Sequence, residues 1–255
     1  MDETELDRIE HLLGLRRWAQ AESRARDYLA AHDGDDRALR QLALALRAQG
    51  HRSAALAAAR AAVRSAPDEA WNHVVAADLC AERGLHDAAR AAADAAVELA
   101  PHHWLPFATR ANILRLGGHE DRKQAVTDAR QAVRAAPQSA DAHNVLGLCL
   151  GAVGRREEER KAYEEALRID PLHVLAKNNL AAFELNRGRL SAGRRHLVAA
   201  LAEDPQQDLV RRNYDALLIR VLARSWWMTI AVGFLEGLLL DRAVQPWARF
   251  GVFVA

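Results

Sequence analysis

Eleven histidines in a chain of 255 residues invite a metal hypothesis, so they are the first place to look for chemistry. His51, His86 and His119 recur at nearly even intervals, and His102-His103 form an adjacent pair. Zinc needs donors about 2 Å from one ion. Side chains a whole helix diameter apart, about 10 Å, cannot meet on it. No Cys-x-x-Cys or His-Glu-x-x-His occurs, so no metal or other cofactor is expected. Cys80 and Cys149 are the only cysteines, and both fall within apolar helical patterns where free cysteine acts as a small buried hydrophobe. A disulfide framework is thereby excluded. Glu157-Glu158-Glu159, flanked by Arg155, Arg156, Arg160 and Lys161, opens a helix and reads as a solvated face with i,i+4 pairing. Neither a phosphate-cradling glycine loop nor a nucleophile elbow is present, and the chain is not expected to be an enzyme.

What such side chains would be mounted on is plainer. Half the residues are hydrophobic but only 5% are aromatic, and alanine, arginine, leucine and glutamate dominate. These side chains lose little rotamer freedom in a helix. Strand-like alternation of β-branched residues is missing, so the fold class is all-α. The 35 basic and 34 acidic residues leave a net charge of +1. Such a balance supplies no field for nucleic acid, and none is expected as a partner. Only three basic residues are lysines, Lys123, Lys161 and Lys177. With the alanine load, this hints at a GC-rich bacterial source. The acidic start, Met1 to Glu5, lacks an apolar stretch of the secretory kind, so a cytoplasmic location is expected.

Pro67, Pro101, Pro137, Pro171 and Pro205 follow one another at intervals of 34, 36, 34 and 34 residues. Gly50, Gly84, Gly118, Gly154 and Gly188 keep the same time, with the two extra residues falling between Gly118 and Ala125. A fixed period of this length marks a solenoid of helical hairpins. Glycine can take the left-handed conformation that ends the first helix of a hairpin. Proline disfavours helical geometry in the residue before it and so closes the second. Ala55, Ala89 and Ala125, and the series Ala62, Ala96, Ala132, Ala166 and Ala200, lie where helices cross, because larger residues would overpack there.

The pattern resembles the tetratricopeptide repeat. Residues 140–173 carry it best, with Leu146-Gly147, Gly154, Tyr163, Ala166 and Pro171. Residues 174–207 keep Leu180-Ala181, Gly188, Ala200 and Pro205, with Gly193 where alanine is usual. Residues 36–69, 70–103 and 104–139 follow in register, the last with the insertion. Residues 2–35 form a degenerate first repeat marked by Trp18, Ala21, Ala25 and Leu29.

The resemblance implies an α-solenoid of about six hairpins whose first helices line a concave groove. The groove positions would be Arg37, Arg40, Leu44 and Arg47; Trp71, Val74, Asp78 and Glu82; Leu105, Asn112 and Arg115; Asp141, Asn144 and Leu148; Leu175, Asn178 and Asn186; and Arg212 and Arg220. Asn112, Asn144 and Asn178 could hold the backbone of an extended peptide, since an amide both donates and accepts. The Lys/Asn clamp by which chaperone-binding relatives take a terminal carboxylate is not reproduced.

Residues 208–224 read as a capping helix with Leu209, Leu217, Leu218, Val221 and Leu222 on its apolar face. Beyond it, 225–255 form a hydrophobic segment. Trp226, Trp227, Met228, Ile230, Val232 and Phe234 surround the single charge Glu236, and Gly233 and Gly237 make a G-x-x-x-G pair. Insertion of such a stretch gains about 2 to 4 kcal/mol and one central carboxylate costs about 2.5 to 3.5, so the two nearly cancel. Three readings stay open for 225–247: a membrane anchor at the cytoplasmic face, an interfacial helix, or a helix packed on the solenoid or on a second copy. The functional expectation is a non-catalytic scaffold that binds a peptide or partner helix in its groove, tethered by its C-terminal segment. The rivals are a self-associating subunit, hence a homo-oligomer, with that segment as its core, and self-inhibition, with that segment in the groove.

Overall fold

The structure is a computed structural model that describes residues 3–205, 208–219 and 222. All regular structure among them is helical. Twelve helices alternate in antiparallel hairpins: α1 (Glu3–Gly14) with α2 (Trp18–Ala31), α3 (Asp36–Ala48) with α4 (Arg52–Ser65), α5 (Ala70–Glu82) with α6 (His86–Leu99), α7 (Trp104–Leu114) with α8 (His119–Ala135), α9 (Ala140–Ala152) with α10 (Arg156–Ile169), and α11 (Val174–Asn186) with α12 (Leu190–Glu203). A further helix, α13, covers 208–219. The chain divides into two compact units, 1–176 and 177–255, the boundary falling inside α11.

Side-chain chemistry explains where each helix starts and stops. First helices are capped: Asp35 accepts from the Ala38 N–H at 2.8 Å and Ser139 from the Ala142 N–H at 3.2 Å. The turn within each hairpin instead closes through the backbone. His51 N–H donates to Leu46 O at 2.9 Å, with Gly50 at φ +81° between them, and Arg155 to Leu150 with Gly154 at +77° repeats it. This satisfies helix-end carbonyls at a conformation that costs glycine nothing. In the first hairpin Arg16 takes that place at φ +57°, a strained choice for a residue with a Cβ. Gly34, also at positive φ, stands in the loop where later hairpins carry proline.

The fourth hairpin departs from the expected register. Gly118 has φ −70° and caps the start of α8 rather than ending α7, which already stops at Leu114. The inserted residues lengthen α8 to 17 residues, against 14 in its counterparts α4 and α6. Asp121 reaches back to the Gly118 N–H at 3.4 Å.

In the first unit, each hairpin packs against the next through its second helix. The first helices also touch in succession, α1 on α3, α3 on α5, α5 on α7 and α7 on α9, whereas α2, α4, α6, α8 and α10 do not touch one another. Closer spacing on one side bends the stack, so the first helices line the concave side of this unit. The crossing points are filled by Ala21, Ala55, Ala62, Ala89, Ala96, Ala125 and Ala132, all fully buried. Where one helix carries a large residue at a crossing, its partner carries glycine. A Cβ on Gly147 would sit 2.6 Å from Tyr163 Cδ1, and one on Gly151 would sit 2.6 Å from Glu159 Oε1.

The second unit obeys the same rule. A Cβ on Gly193 would lie 2.5 Å from Leu185 Cδ2 and 3.2 Å from the Ala181 carbonyl oxygen, which accounts for glycine where alanine is usual. α13 buries Val210 and Leu217, while Leu209 and Leu218, expected on its apolar face, are exposed. The buried stripe thus runs from Val210 to Leu217, seven residues or two turns along the helix, with the half-buried Asn213 between them.

The hydrophobic C-terminal helix is a correction, and with it the membrane contact through 225–247 and anchoring at a membrane face. Among the described residues no helix is long and apolar enough to cross a membrane. The physical reason is that these helices run to at most 17 residues, against about 20 apolar ones for a span, and carry charge on their open faces. Trp226, Trp227, Gly233, Glu236 and Gly237 lie outside the described residues, as does Arg220.

Candidate functional site: the concave face of the first unit

The groove arginines are engaged by acids on neighbouring first helices. Arg37 on α3 holds Asp7 at 2.7 Å and Glu10 at 2.8 Å, both from α1. Arg47 on α3 donates through Nε to Glu82 Oε1 at 2.6 Å and through Nη1 to Asp78 at 3.5 Å, both on α5. The basic and acidic residues of this face therefore neutralise each other across the helix interfaces. Each such pair, partly exposed, contributes at most about 1 kcal/mol, but together they fix the rotamers of the floor. Burial pushes the Asp78 carboxyl above its usual range, with Arg47 pulling it down and Glu82 adding to the rise.

Below the ladder lies a polar knot. Asn72, fully buried, accepts from Arg40 Nη1 at 2.7 Å and donates to Asp36 Oδ2 at 2.9 Å and to the Ala62 carbonyl at 3.2 Å. Arg40 is thus mostly drawn beneath the surface, with 17% of its side chain exposed. Farther along, the Arg115 Nε donates to Asn112 Oδ1 at 2.9 Å, so these two face residues form one polar unit. Trp71 is half-buried and meets the ring of His103 edge-on, centroids 4.6 Å apart. Asp141, largely exposed, accepts from His173 Nε2 at 2.9 Å.

Asn144 and Asn178 are buried and do not present amides to the surface. Asn178, in the second unit, accepts from Asn213 Nδ2 at 2.7 Å. Asn186 and Arg212, in the same unit, are exposed. The structure therefore brings Arg37, Arg47, Trp71, Asp78, Glu82, Asn112 and Arg115 onto one side of the first unit.

Leu13, Trp18 and Arg52 were not anticipated as site residues, yet with the groove residues Leu44, Arg47 and Glu82 they border a cleft of about 670 Å³ at the hairpin-turn end of α1, α3 and α5. Trp18 was visible only as a repeat marker. Arg110 clamps the buried Asp128 through two bonds of 2.7 and 2.9 Å and reaches Asp94 at 3.2 Å. It is a structural brace between α6, α7 and α8.

Among the described residues no group of three or more His, Cys, Asp or Glu is placed to hold a metal ion. Cys80 and Cys149 are both buried, and burial pushes the Cys149 thiol up to about 12.

A family model described as tetratricopeptide repeat matches residues 40–103 and 111–173. No curated protein matches the chain in sequence. Among solved structures, a thermophilic tetratricopeptide protein of Thermus thermophilus, TTC0263, superposes with a TM-score of 0.67 at 22% identity, over 72% of this chain and 99% of that one. A chain of the Cut9–Hcn1 hetero-tetramer of the APC/C gives 0.70 at 15% identity, over 86% of this chain and 42% of that one. A monomeric mutant of IFIT1 with m7Gppp-AAAA gives 0.68 at 16%, over 82% of this chain and 53% of that one. At these identities what is shared is the fold, and proteins of this fold generally act as protein–protein interaction scaffolds. Over residues 40–103 and 111–173, just under half of its length, this chain is thus similar to the tetratricopeptide repeat family.

Proposed function

We propose that the protein is an adaptor whose concave face, over α3, α5, α7 and α9, receives an extended peptide or a partner's helix. The observation that carries this reading is the one-sided contact between successive first helices, which makes a continuous inward surface. The ion-pair ladder that pre-sets Arg47, Asp78 and Glu82 supports it, because side chains already ordered lose less entropy on binding. Trp71 is the natural anchor, since aromatic residues dominate binding energy at such surfaces. The test selects peptides on the immobilised full-length protein and measures their affinity for variants. Trp71→Ala is expected to weaken binding at least tenfold, and Arg60→Ala on the exposed side of α4 to leave it within twofold. Equal losses at both positions, or a loss at Arg60 alone, would reject the concave face as the binding surface.

A further inference from the structure

At the hairpin-turn end of the first unit, two clefts meet on one side chain. Trp18 borders both the 670 Å³ cleft with Leu13, Leu44 and Arg52 and an adjoining one of about 450 Å³ with Arg16, Arg17 and Gln49. Trp18 is half-buried, so part of its ring remains open between them.

The charges around this ring are unbalanced. Glu82 is held by Arg47 at 2.6 Å. Glu22, on α2 beside the second cleft, is held by Arg26 at 2.9 Å and by Gln49 at 2.7 Å. Those two hydrogen bonds hold its carboxyl below the usual carboxylate range. Arg17 and Arg52 are exposed, and among the described residues their side chains have no ion pair or hydrogen bond. Two cations without counter-ions therefore flank an apolar floor. In the last two hairpins the place of Arg17 is taken by Arg155 and Arg189, which are paired with Glu158 and Glu184. The comparison sets the first hairpin apart, since its arginine has been left open.

We infer that this double cleft takes an acidic segment of a partner protein that seats one bulky apolar side chain against Trp18, with its carboxylates on Arg17 and Arg52. The inference rests on the concave-face reading in that Leu44, Arg47 and Glu82 belong to both surfaces, and it adds the chemistry of what lies at this end. Apolar contact supplies the affinity, and the flanking arginines select acidic over neutral sequence and speed encounter.

Fluorescein-labelled synthetic peptides test it: a run of glutamates around one central leucine, the same run with alanine for that leucine, and a glutamine version of the first. Anisotropy against the full-length protein should show the glutamate–leucine peptide binding at least tenfold tighter than either control, with affinity falling as salt rises. The Arg17→Glu/Arg52→Glu variant, which alters only exposed side chains, should lose that preference, while Trp71→Ala should keep it. Equal binding of the glutamine peptide would overturn the charge assignment. Equal binding of the alanine peptide would overturn the seat on Trp18. Binding lost with Trp71→Ala but kept in the double variant would place the ligand elsewhere on the concave face and sink this inference alone. No binding of any peptide up to millimolar concentration would sink it as well. If the double variant instead turned an oligomer into a monomer, the occupant would be a second copy and the acidic partner would be wrong.

Discussion

Replacing Gly147 by alanine sets two known effects against each other at one atom. Gly147 lies inside α9, where alanine is favoured over glycine by about 1 kcal/mol. Against that, the new methyl would stand 2.6 Å from Tyr163 Cδ1 and 2.9 Å from its Cζ, where carbon contacts want about 3.5 to 4.0 Å. Relief requires the ring to move by about 1 Å. Tyr163 is only 2% exposed and lies between α9 and α10, so it has no free space to enter. Overpacking of this kind costs about 1 to 3 kcal/mol. The clash should win, leaving Gly147→Ala destabilised by up to about 2 kcal/mol in urea unfolding followed by far-ultraviolet circular dichroism. In a Tyr163→Ala background the obstruction is gone and only helix preference remains, so the same substitution should stabilise by about 0.5 to 1 kcal/mol. A sign change between backgrounds is the signature. The reasoning fails if Gly147→Ala stabilises the parent protein, or has the same effect with and without the tyrosine ring.

Three further outcomes follow from local geometry. Arg16→Gly relieves a left-handed backbone that costs a residue with a Cβ about 1 to 2 kcal/mol. After glycine's own entropic penalty it should raise stability by up to about 1 kcal/mol, measured by the same unfolding assay. Cys149, whose thiol burial holds near 12, should not react with an aromatic disulfide reagent until the protein unfolds; reaction of the native protein at the rate of a free thiol would contradict its burial. The hydrogen bond to Asp141 raises the His173 pKa above 6.5, and the His173 bond lowers that of Asp141 below 3.8. The histidine's contribution is present below 6.5 and lost as pH rises through its raised value, while the aspartate's is present above 3.8 and lost as pH falls through its lowered one. The stability difference between the parent and Asp141→Asn should therefore peak between about pH 4 and 6.5, a small effect because Asp141 is exposed; a flat difference across that range would rule out the pair.

The hairpins were legible because their punctuation is local. Gly50, Gly84, Gly154 and Gly188 act on their own backbone, and the buried alanines report a crossing that the period alone locates. Gly118 misled because the inserted residues were absorbed into the start of α8, and only the backbone conformation there reveals it. The floor of the candidate site was half legible. Arg47 and Glu82, or Arg37 and Asp7, are separated by about one repeat, so their pairing could have been read by laying repeats over one another. Asn144 and Asn178 occupy the same register position as Arg40. Register fixes where a Cα stands and not whether its side chain reaches solvent, and even Arg40 is drawn down from that position onto the buried Asn72. The short amides stay covered. Trp18 and Arg52 were missed because they come from second helices and a turn, not from the positions that the resemblance nominates.

Where a ligand lies is the central claim, and photo-crosslinking measures it most directly. A benzophenone amino acid placed at position 71 on α5, and separately at position 60 on α4, reports on the inner and outer sides of the same unit. With a selected peptide bound, the account predicts efficient crosslinking from position 71 and none above background from position 60, with unlabelled peptide competing the first away. Crosslinking from position 60 alone, or equally from both, would contradict it.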